Sequence, residues 1–337
     1  MFNFDEPRFI RIQSGAVGLA ADLERIASGW LAAGGDSLFF AGTGGAGILM
    51  QPAQLLFSSR CSFPCYGVQP AELVLTGHPA LGPRSLVVMP SLSGTTRESL
   101  VALEYCKRRG ARVLALVGHA GTPLATGADD ALVNFAEDDT SCESFYLQSL
   151  LLVLSLLRHR GECPEHAAVL AELQRLPPLL LEVKRAFEAR AERLAEQFRN
   201  EPYHVISGAG STWPEAYYYG MCILEEMQWI RTRPVHAADF FHGTLELLDK
   251  DVSVLLFKGE DALRPLVERV EAFAGKVSQK VHVLDTAAFP LPGVGDATRA
   301  LISPVLLASV LERLSAHLEA KRNHPLTTRR YYKRVAY

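Results

Sequence analysis

The chain has 337 residues, of which 48% are hydrophobic and 21% are charged, and its formal net charge is −3. This length has room for roughly two domains that each bury a core of their own. The composition excludes a disordered chain, and the slightly acidic balance excludes a protein that coats nucleic acid.

Local features exclude several further classes of protein. The N-terminus lacks the basic segment and apolar run of a signal or transit peptide. The apolar run at 147–157 is shorter than the roughly 20 residues that span a bilayer, so we interpret it as a buried helix. Six cysteines without paired CxxC spacing favour free thiols, and a metal pair of Cys61 and Cys65 is the alternative that lacks a second pair. We therefore expect a cytoplasmic protein with no metal, no other cofactor and no membrane contact.

Three short apolar runs in the first half, each followed by a longer amphipathic segment, predict β-strands that alternate with helices. They lie at 37–41, 85–89 and 112–117. Strands that alternate with helices form a parallel sheet covered on both faces.

The same pattern starts again in the second half of the chain, with apolar runs at 203–207, 252–257 and 280–284. The sequence therefore predicts two copies of one α/β unit. Between them, 164–199 reads as a helix interrupted at Pro177-Pro178, and a further helix is predicted at 301–320.

Domain boundaries follow from this organisation. We place the first domain at 1–165, the second domain with its linking helices at 166–322, and a tail at 323–337. The tail combines cations with aromatic residues, which a free tail rarely retains, so we expect it to close over the active site.

A hydroxyl-rich turn follows the second predicted strand and opens a helix. Residues 91–96 read Ser-Leu-Ser-Gly-Thr-Thr, with four hydroxyl side chains in six positions. Free backbone N–H groups and the positive end of the helix dipole make such a turn an anion site. A plain N-cap at Ser93 or Thr95 is the alternative, but a cap satisfies one or two donors and leaves the other hydroxyls unexplained. The turn therefore predicts a phosphate site.

Two more glycine-rich turns follow predicted strands, at 42–47 and 208–212. Glycine allows a tight turn or a close approach of the backbone to a ligand. A dinucleotide site is the competing interpretation of the first turn. That fingerprint requires an acidic residue about 20 positions on, and none stands near 66–68. The pattern therefore argues against nucleotide binding.

An acid and an imidazole in the second half have the chemistry to move protons on a phosphosugar. Glu225 and Glu226 are neighbours on a predicted helix, about 100° apart, so at most one of them faces a given cleft. We assign proton transfer to Glu226 and choose His242 as the imidazole, with His236 as its rival.

The spacing Ser-x-Ser-Gly-x-Thr-x-Glu at 91–98 resembles the phosphosugar-binding signature of the SIS (sugar isomerase) domain family. The resemblance covers nearly the whole chain and implies two tandem flavodoxin-like domains, each a parallel sheet flanked by helices. It implies that the sugar phosphate is held by Thr43, Ser91, Ser93 and Thr96. Gly44 stands where the family often has a hydroxyl residue, and we include Gly44 and Gly94 in the predicted phosphate site for the close backbone approach that glycine allows.

The arrangement is also similar to the isomerase half of glucosamine-fructose-6-phosphate aminotransferase. This similarity implies that Glu226 shuttles the proton and that His242 opens the sugar ring from a neighbouring subunit. It implies in addition that Lys333 is an active-site residue and that the protein is a homodimer with composite active sites. Ile223 stands where that enzyme has a sugar-handling lysine, which argues against the same reaction.

The segments Glu-Glu-Met-Gln-Trp and Phe-Phe-His-Gly and the tail most resemble the fructoselysine-6-phosphate deglycases. Those enzymes split a phosphorylated sugar-amine adduct into a hexose 6-phosphate and a free amino acid. The resemblance implies this activity without choosing between fructose- and glucose-type adducts or naming the amino acid. Two alternatives stay open, an aldose–ketose isomerase of amino-hexose phosphates and a non-catalytic phosphosugar sensor.

Charge pairing adds candidates for the rest of the substrate. Ser141 either contacts the sugar or caps the helix that follows it. Glu143 is a candidate to hold the amine, and Arg329 or Arg330 is a candidate to hold the carboxylate.

Overall fold

The apolar runs of the sequence form two parallel sheets, each in a unit of its own. The computed structural model describes residues 1–136, 142–332 and 334–335. Contacts between Cα atoms divide the chain into two compact units. The first unit is 6–178, and the second combines 1–5 with 179–337. The predicted α/β fold with two tandem parallel-sheet domains is confirmed.

The strands of the first unit are β1 (Ser37–Ala41), β2 (Cys65–Val68), β3 (Ser85–Ser91), β4 (Arg112–Val117) and β5 (Asp130–Val133). They pair in parallel in the order β2-β1-β3-β4-β5. The three central strands are the three predicted ones, and they are buried along nearly their whole length because helices cover both faces of the sheet.

The helices of the first unit are α1 (Glu6–Gly18), α2 (Ala20–Ala32), α3 (Gly44–Ile48), α4 (Gln51–Arg60), α5 (Pro70–Thr76), α6 (Arg97–Arg108), α7 (Pro123–Gly127), α8 (Glu143–His159) and α9 (His166–Gln174). Every residue of α8 from 143 to 157 is buried, so the apolar run at 147–157 forms a core helix as predicted. α6 turns one apolar face toward the sheet, where Leu103 and Cys106 join the core.

The edge strands β2 and β5 are not predicted from the sequence. Each has four residues, and among all eight only Leu132 is fully buried. An edge strand is partly solvated, so its sequence lacks the continuous apolar run that marks a central strand of a parallel sheet.

The strands of the second unit are β6 (Tyr203–Gly208), β7 (Arg231–His236), β8 (Ser253–Lys258) and β9 (Lys280–Asp285). They pair in parallel in the order β7-β6-β8-β9. β6, β8 and β9 are the predicted runs, each within one or two residues. β7 lies at an edge and carries charged and half-buried residues, and it too is not predicted.

The helices of the second unit are α10 (Leu176–Phe198), α11 (Trp213–Tyr218), a π-helix (Tyr219–Met227), α12 (Arg264–Val277) and α13 (Asp296–Arg322). α13 contains the predicted helix at 301–320. By length and composition α13 could cross a bilayer, but 89% of its apolar 18-residue window is buried inside the fold. Apolar residues around a whole helix and burial of this extent are typical of a core helix.

The predicted interruption at Pro177-Pro178 is wrong in position. α9 ends at Gln174 and α10 begins at Leu176, so both prolines lie in the first turn of α10. Proline is tolerated there because the N–H groups of the first turn have no helical acceptor. The prolines therefore begin a helix instead of interrupting one.

The N-terminal segment 1–5 belongs to the second unit. The backbone N–H of Phe2 donates to Glu188 (2.6 Å), and the Phe2 carbonyl accepts from Nη1 of Arg313 (2.7 Å). The guanidinium carbon of Arg313 lies 4.3 Å from the ring centroid of Phe4. The start of the chain is thereby tied to α10 and α13.

His204 makes the stability of the second unit depend on pH. This residue of β6 is fully buried, and its Nδ1 lies 2.8 Å from Oγ of Ser253. Burial, together with the positive charges of nearby groups, lowers the pKa of His204 to about 3. Below pH 6.5 the unfolded chain takes up a proton that the folded chain does not, so the free energy of unfolding falls by about 1.4 kcal/mol per pH unit on account of this residue.

We expect His204→Gln to flatten that dependence. Urea denaturation of the wild type and the variant between pH 7 and pH 5 measures the two slopes. Burial also lowers the pKa of His282, but that residue is present in both proteins, so the difference in slope isolates His204. Parallel curves would show that His204 does not contribute.

Candidate functional site

The first glycine turn, 42–47, joins β1 to α3 and requires its glycines. A Cβ on Gly42 would lie 2.5 Å from Cα of Gly47, and a Cβ on Gly47 would lie 2.3 Å from the Gly42 carbonyl oxygen. Gly44 has a φ of +57°, in the left-handed region that favours glycine. The turn is therefore a bare backbone loop of the kind that lets an anion approach closely.

Thr43 precedes α3 in this turn. Its hydroxyl is shielded from solvent and has no hydrogen-bond partner among the described residues. A buried hydroxyl without a partner costs about 1–3 kcal/mol. A phosphate oxygen can satisfy it only after the turn shifts to expose it, so the role of Thr43 stays a prediction.

The hydroxyl-rich turn holds its own shape through its first two serines. Oγ of Ser91 accepts from the backbone N–H of Gly94 (3.0 Å). Oγ of Ser93 accepts from the backbone N–H and the hydroxyl of Thr95 (3.3 and 3.1 Å). Gly94 has a φ of +62°, and a Cβ there would lie 2.1 Å from Oγ1 of Thr122. Only glycine fits at this position.

The N-cap of α6 is Thr96, and its side chain makes no capping hydrogen bond. The alternative that Ser93 or Thr95 is merely an N-cap is therefore wrong. The Thr96 hydroxyl stays available at the start of a 12-residue helix, whose dipole favours an anion.

The glycine turn and the hydroxyl-rich turn lie at the same end of the first sheet, where the strands have their carboxyl ends. β1 and β3 pair side by side in parallel, and each turn leaves the carboxyl end of its strand. From β1 the chain passes to β2 on one side of β1 and then crosses to β3 on the other side. The carboxyl ends of β1 and β3 are therefore a topological switch point. Open α/β sheets bind their ligands at such points.

Thr96→Val should weaken binding of fructose 6-phosphate about tenfold or more, because a hydrogen bond to a charged oxygen is lost while the shape is kept. Isothermal titration calorimetry measures the change. Thr126→Val is the matched control, since the Thr126 hydroxyl donates to the carbonyls of Thr122 and Pro123. An unchanged affinity in Thr96→Val would remove this side chain from the phosphate site.

A cavity of about 350 Å³ adjoins the first glycine turn and is not predicted from the sequence. Gly42 and Gly47 form part of the cavity wall. The other lining residues include the polar side chains of Gln51, Glu72 and His78. Its residues come from β1, β2, α4 and α5, and no motif in the sequence joins those elements.

Glu143 begins α8 and is fully buried. A carboxylate at that position meets a substrate amine only if the amine enters the core of the first unit. Its role as the amine partner stays a prediction, and Ser141 lies outside the described residues.

Glu226 lies in the π-helix that continues α11. The backbone N–H of Gln228 donates to the carbonyl of Ile223 (3.1 Å), five residues earlier, which extends the wide turn. π-Helical turns are rare and occur frequently at functional sites. The Glu226 side chain is 33% exposed, so its carboxylate is accessible from solvent.

Glu225, the neighbouring acid, bonds to β7. Its Oε1 accepts from the backbone N–H of Thr232 (3.2 Å) and from the Thr232 hydroxyl (2.5 Å). The two acids therefore face different surroundings, in agreement with the expectation that at most one of them faces a given cleft.

Ile223 lies one turn before Glu226 in the π-helix and is buried in the core. An apolar side chain buried at that position contributes packing and no polar contact to a sugar. This surrounding is consistent with the argument against aminotransferase-type isomerisation.

The C-terminal tail, 323–332, packs on the residues that follow the π-helix. The Gln228 side-chain amide donates to the carbonyl of His324 (2.7 Å), and the Trp229 ring meets the His324 ring edge to face at 4.6 Å. The guanidinium carbon of Arg330 lies 3.9 Å from the centroid of the Trp229 ring. The tail therefore docks on the second unit, and its closing of an active site stays a prediction.

Arg329, in this tail, pairs with Glu226. Its Nε lies 2.9 Å from Oε1 of Glu226, and its side chain is only 14% exposed. The sequence predicts a substrate carboxylate as its partner and not this contact. Lys333 lies outside the described residues.

His242 ends a short 3₁₀-helix after β7, and it is exposed. His236, its rival, has Nδ1 accepting from the backbone N–H of Ala238 (3.1 Å) and its ring against Trp213 (5.6 Å between centroids). Of the two imidazoles, His242 is the one that stands open to a ligand or another subunit.

Glu226 and His242 lie at opposite ends of β7. The π-helix ends just before Arg231, the first residue of the strand, and His242 follows its last residue, His236. Six residues of strand span roughly 20 Å. Along one chain, β7 therefore lies between the acid and the imidazole.

Comparison with known proteins shows what the chain is similar to. The family model of the SIS domain matches residues 33–158. Fructosamine deglycase FrlB of Bacillus subtilis (strain 168) is 29% identical over 304 residues, which cover 90% of this chain and 93% of that protein. A fructoselysine 6-phosphate deglycase of Escherichia coli O157:H7 is 26% identical over 297 residues, which cover 88% of this chain and 85% of that protein.

A solved structure extends the likeness to both units. The C-terminal domain of glucosamine-fructose-6-phosphate aminotransferase from Francisella tularensis matches with a TM-score of 0.80 at 15% identity, covering 95% of this chain and 94% of that one. An identity this low shows the fold alone. The SIS-domain model thus matches much of the first unit, two named deglycases resemble most of the chain, and the predicted tandem fold is confirmed.

Proposed function

We propose that this chain, a SIS-domain protein, is a deglycase that cleaves a 6-phosphorylated sugar-amine into a hexose 6-phosphate and a free amino acid. The observation that carries the proposal is the extent of the likeness to two named deglycases, which covers 90% and 88% of the chain. The matched stretch leaves out at most about 40 residues of this chain. It therefore contains both the turn at 91–96 and Glu226, because both lie far from either end of the sequence.

The phosphate and the ring are handled first in this mechanism. Backbone N–H groups and hydroxyls of the turn at 91–96 hold the 6-phosphate, with the first glycine turn beside them. The imidazole of His242 moves a proton between the ring oxygen and the anomeric oxygen, which opens the ring to a C2 carbonyl.

Glu226 then transfers one proton along the open chain. Its carboxylate takes a proton from C1 and returns it to C2, so the ketoamine passes through an enolamine to an imine at C1. Water adds to that imine, the carbon–nitrogen bond breaks, and the products are an aldose 6-phosphate and the amine. A glucose-type adduct would use the same proton transfer in the opposite sense.

Composite active sites in a homodimer are part of the proposal. β7 lies between the acid and the imidazole in one chain, so an acid from one chain and an imidazole from the other are the pair proposed to act on one substrate. The exposure of His242 supports this arrangement. A monomeric variant should then be inactive even though each chain is folded.

We assign the reaction to the cytoplasm. All six cysteines lie in the described part of the chain and no disulfide joins them, which suits a reducing compartment.

Release of the amine tests the function directly. The protein is incubated with fructoselysine 6-phosphate, glucoselysine 6-phosphate or fructose 6-phosphate, and free lysine and hexose phosphates are quantified. We expect lysine from at least one adduct. Conversion of fructose 6-phosphate without lysine release from either adduct would instead support an isomerase.

A further inference from the structure

We propose that Arg329 changes partners during the reaction, from the carboxylate of Glu226 to the carboxylate on the amine part of the substrate. Recognition of that second carboxylate then releases Glu226 for proton transfer. This inference rests on the proposed deglycase function and makes Arg329 a positioning residue for the base.

The tail aims the Arg329 side chain. Nη1 of Arg329 donates to the carbonyls of Leu326 (2.6 Å) and Thr328 (3.0 Å), while Nε faces Glu226 at 2.9 Å. Nη2 makes no hydrogen bond to any described residue. The guanidinium is thus held by its own turn, with its outer nitrogen open to a further acceptor.

Further contacts keep this part of the tail in place. The backbone N–H of Leu326 donates to Oε1 of Glu319 on α13 (2.9 Å), and Arg330 stacks on Trp229. A residue anchored on both sides along the chain stays near Glu226 when its partner changes.

Proton uptake by a base that is still paired with a cation costs free energy. Protonation of Glu226 would neutralise the charge opposite Arg329, and that guanidinium is only 14% exposed. A poorly solvated cation left without its counter-ion is unfavourable. A second anion that takes over the guanidinium removes this penalty.

The proposed substrate carries two kinds of anion. The phosphate is assigned to the turn at 91–96, so the carboxylate of the amino-acid part remains for Arg329. A base that acts on C1 lies about 3–3.5 Å from it, which puts the guanidinium within roughly 6 Å of C1. In an adduct joined through the α-nitrogen of its amino acid, the carboxylate lies two bonds beyond that nitrogen and about 4–5 Å from C1 by ordinary bond lengths, so it reaches the guanidinium.

Two ketoamine 6-phosphates that differ by one carboxylate test the exchange. The alanine adduct of fructose 6-phosphate carries that carboxylate next to the nitrogen, and the ethylamine adduct lacks it. In the wild type we expect the ethylamine adduct to show a kcat roughly tenfold to a hundredfold lower, with a smaller change in KM. In Arg329→Met the kcat values of the two adducts should agree within about threefold, and Arg329→Lys should restore part of the difference.

Glu319→Ala is the control. It removes the acceptor for the backbone N–H of Leu326 and loosens the same tail without touching Glu226, so the ratio of the two kcat values should stay as in the wild type. Equal kcat values for both adducts in the wild type, or an unchanged ratio in Arg329→Met, would overturn the exchange and leave the deglycase function intact. Release of neither amine by the wild type would overturn the proposed function itself and the exchange with it.

Discussion

Glu226→Gln is expected to lower kcat for the sugar-amine substrate by roughly 10³-fold, because an amide cannot take the proton from C1 or return it to C2. The substitution keeps the shape of the side chain but removes the charge opposite Arg329, which lowers the stability of the second unit. The phosphate site lies in the first unit and should be unchanged. Steady-state amine release measures kcat, and calorimetry with fructose 6-phosphate measures phosphate binding, which should stay within about twofold of the wild type.

Glu225→Gln is the matched control for this prediction. It lies next to Glu226 in the π-helix, and its glutamine would still accept the hydrogen bond from Thr232. We expect its kcat to stay within about threefold of the wild type. Turnover that survives in Glu226→Gln and is lost in Glu225→Gln would show that the base had been assigned to the wrong neighbour.

The sequence predicts the centre of each sheet better than its edges. The run at 37–41 is apolar from Leu38 onward because β1 is buried on both faces, and its predicted and observed limits agree. β7 contains Arg231, Arg233 and Pro234, since an edge strand needs fewer ladder hydrogen bonds and meets solvent. A rule that searches for apolar runs cannot find such a strand.

The site divides in the same way between local and distant contacts. The turn at 91–96 is readable because its hydroxyls, its glycine and the following helix are adjacent in sequence. The contact between Glu226 and Arg329 joins two residues about a hundred positions apart and depends on how the tail folds back. The sequence predicts both residues in one site, but it does not predict the ion pair between them.

Glu312→Gln is expected to destabilise the second unit by about 3–5 kcal/mol, the largest effect on stability that we predict. Glu312 lies 3.0 Å from Nζ of Lys184 and 2.7 Å from Nη2 of Arg313, and both cationic side chains are fully buried. Removal of the anion takes a nearby carboxylate away from two cations that water does not reach, although Arg313 keeps Glu188 at 3.4 Å. Urea denaturation at pH 7 measures the loss, and Lys184→Met added to Glu312→Gln should recover part of it.

Low pH should remove the stability that the carboxylate of Glu312 contributes. Burial alone would raise the pKa of Glu312, but the charge of Lys184 and the hydrogen bond from Arg313 outweigh it and lower the pKa below its usual 4.5. A carboxylate with a lowered pKa stabilises the fold above the unfolded value, and this stability disappears as pH falls through the folded value. The difference in stability between wild type and Glu312→Gln should therefore be constant from pH 7 to pH 5 and shrink below pH 4.

Glu192→Gln distinguishes a buried cluster from ordinary surface charge. Glu192 pairs with Lys321 at 3.7 Å between the same two helices, α10 and α13, but its side chain is 61% exposed. An exposed pair of this kind contributes about 0–1 kcal/mol, since water and salt screen it. If Glu312→Gln cost no more than Glu192→Gln, the buried cations would have to be stabilised by other contacts, such as the backbone carbonyls of Ser309 and Phe2 and the carboxylate of Glu188, instead of by Glu312.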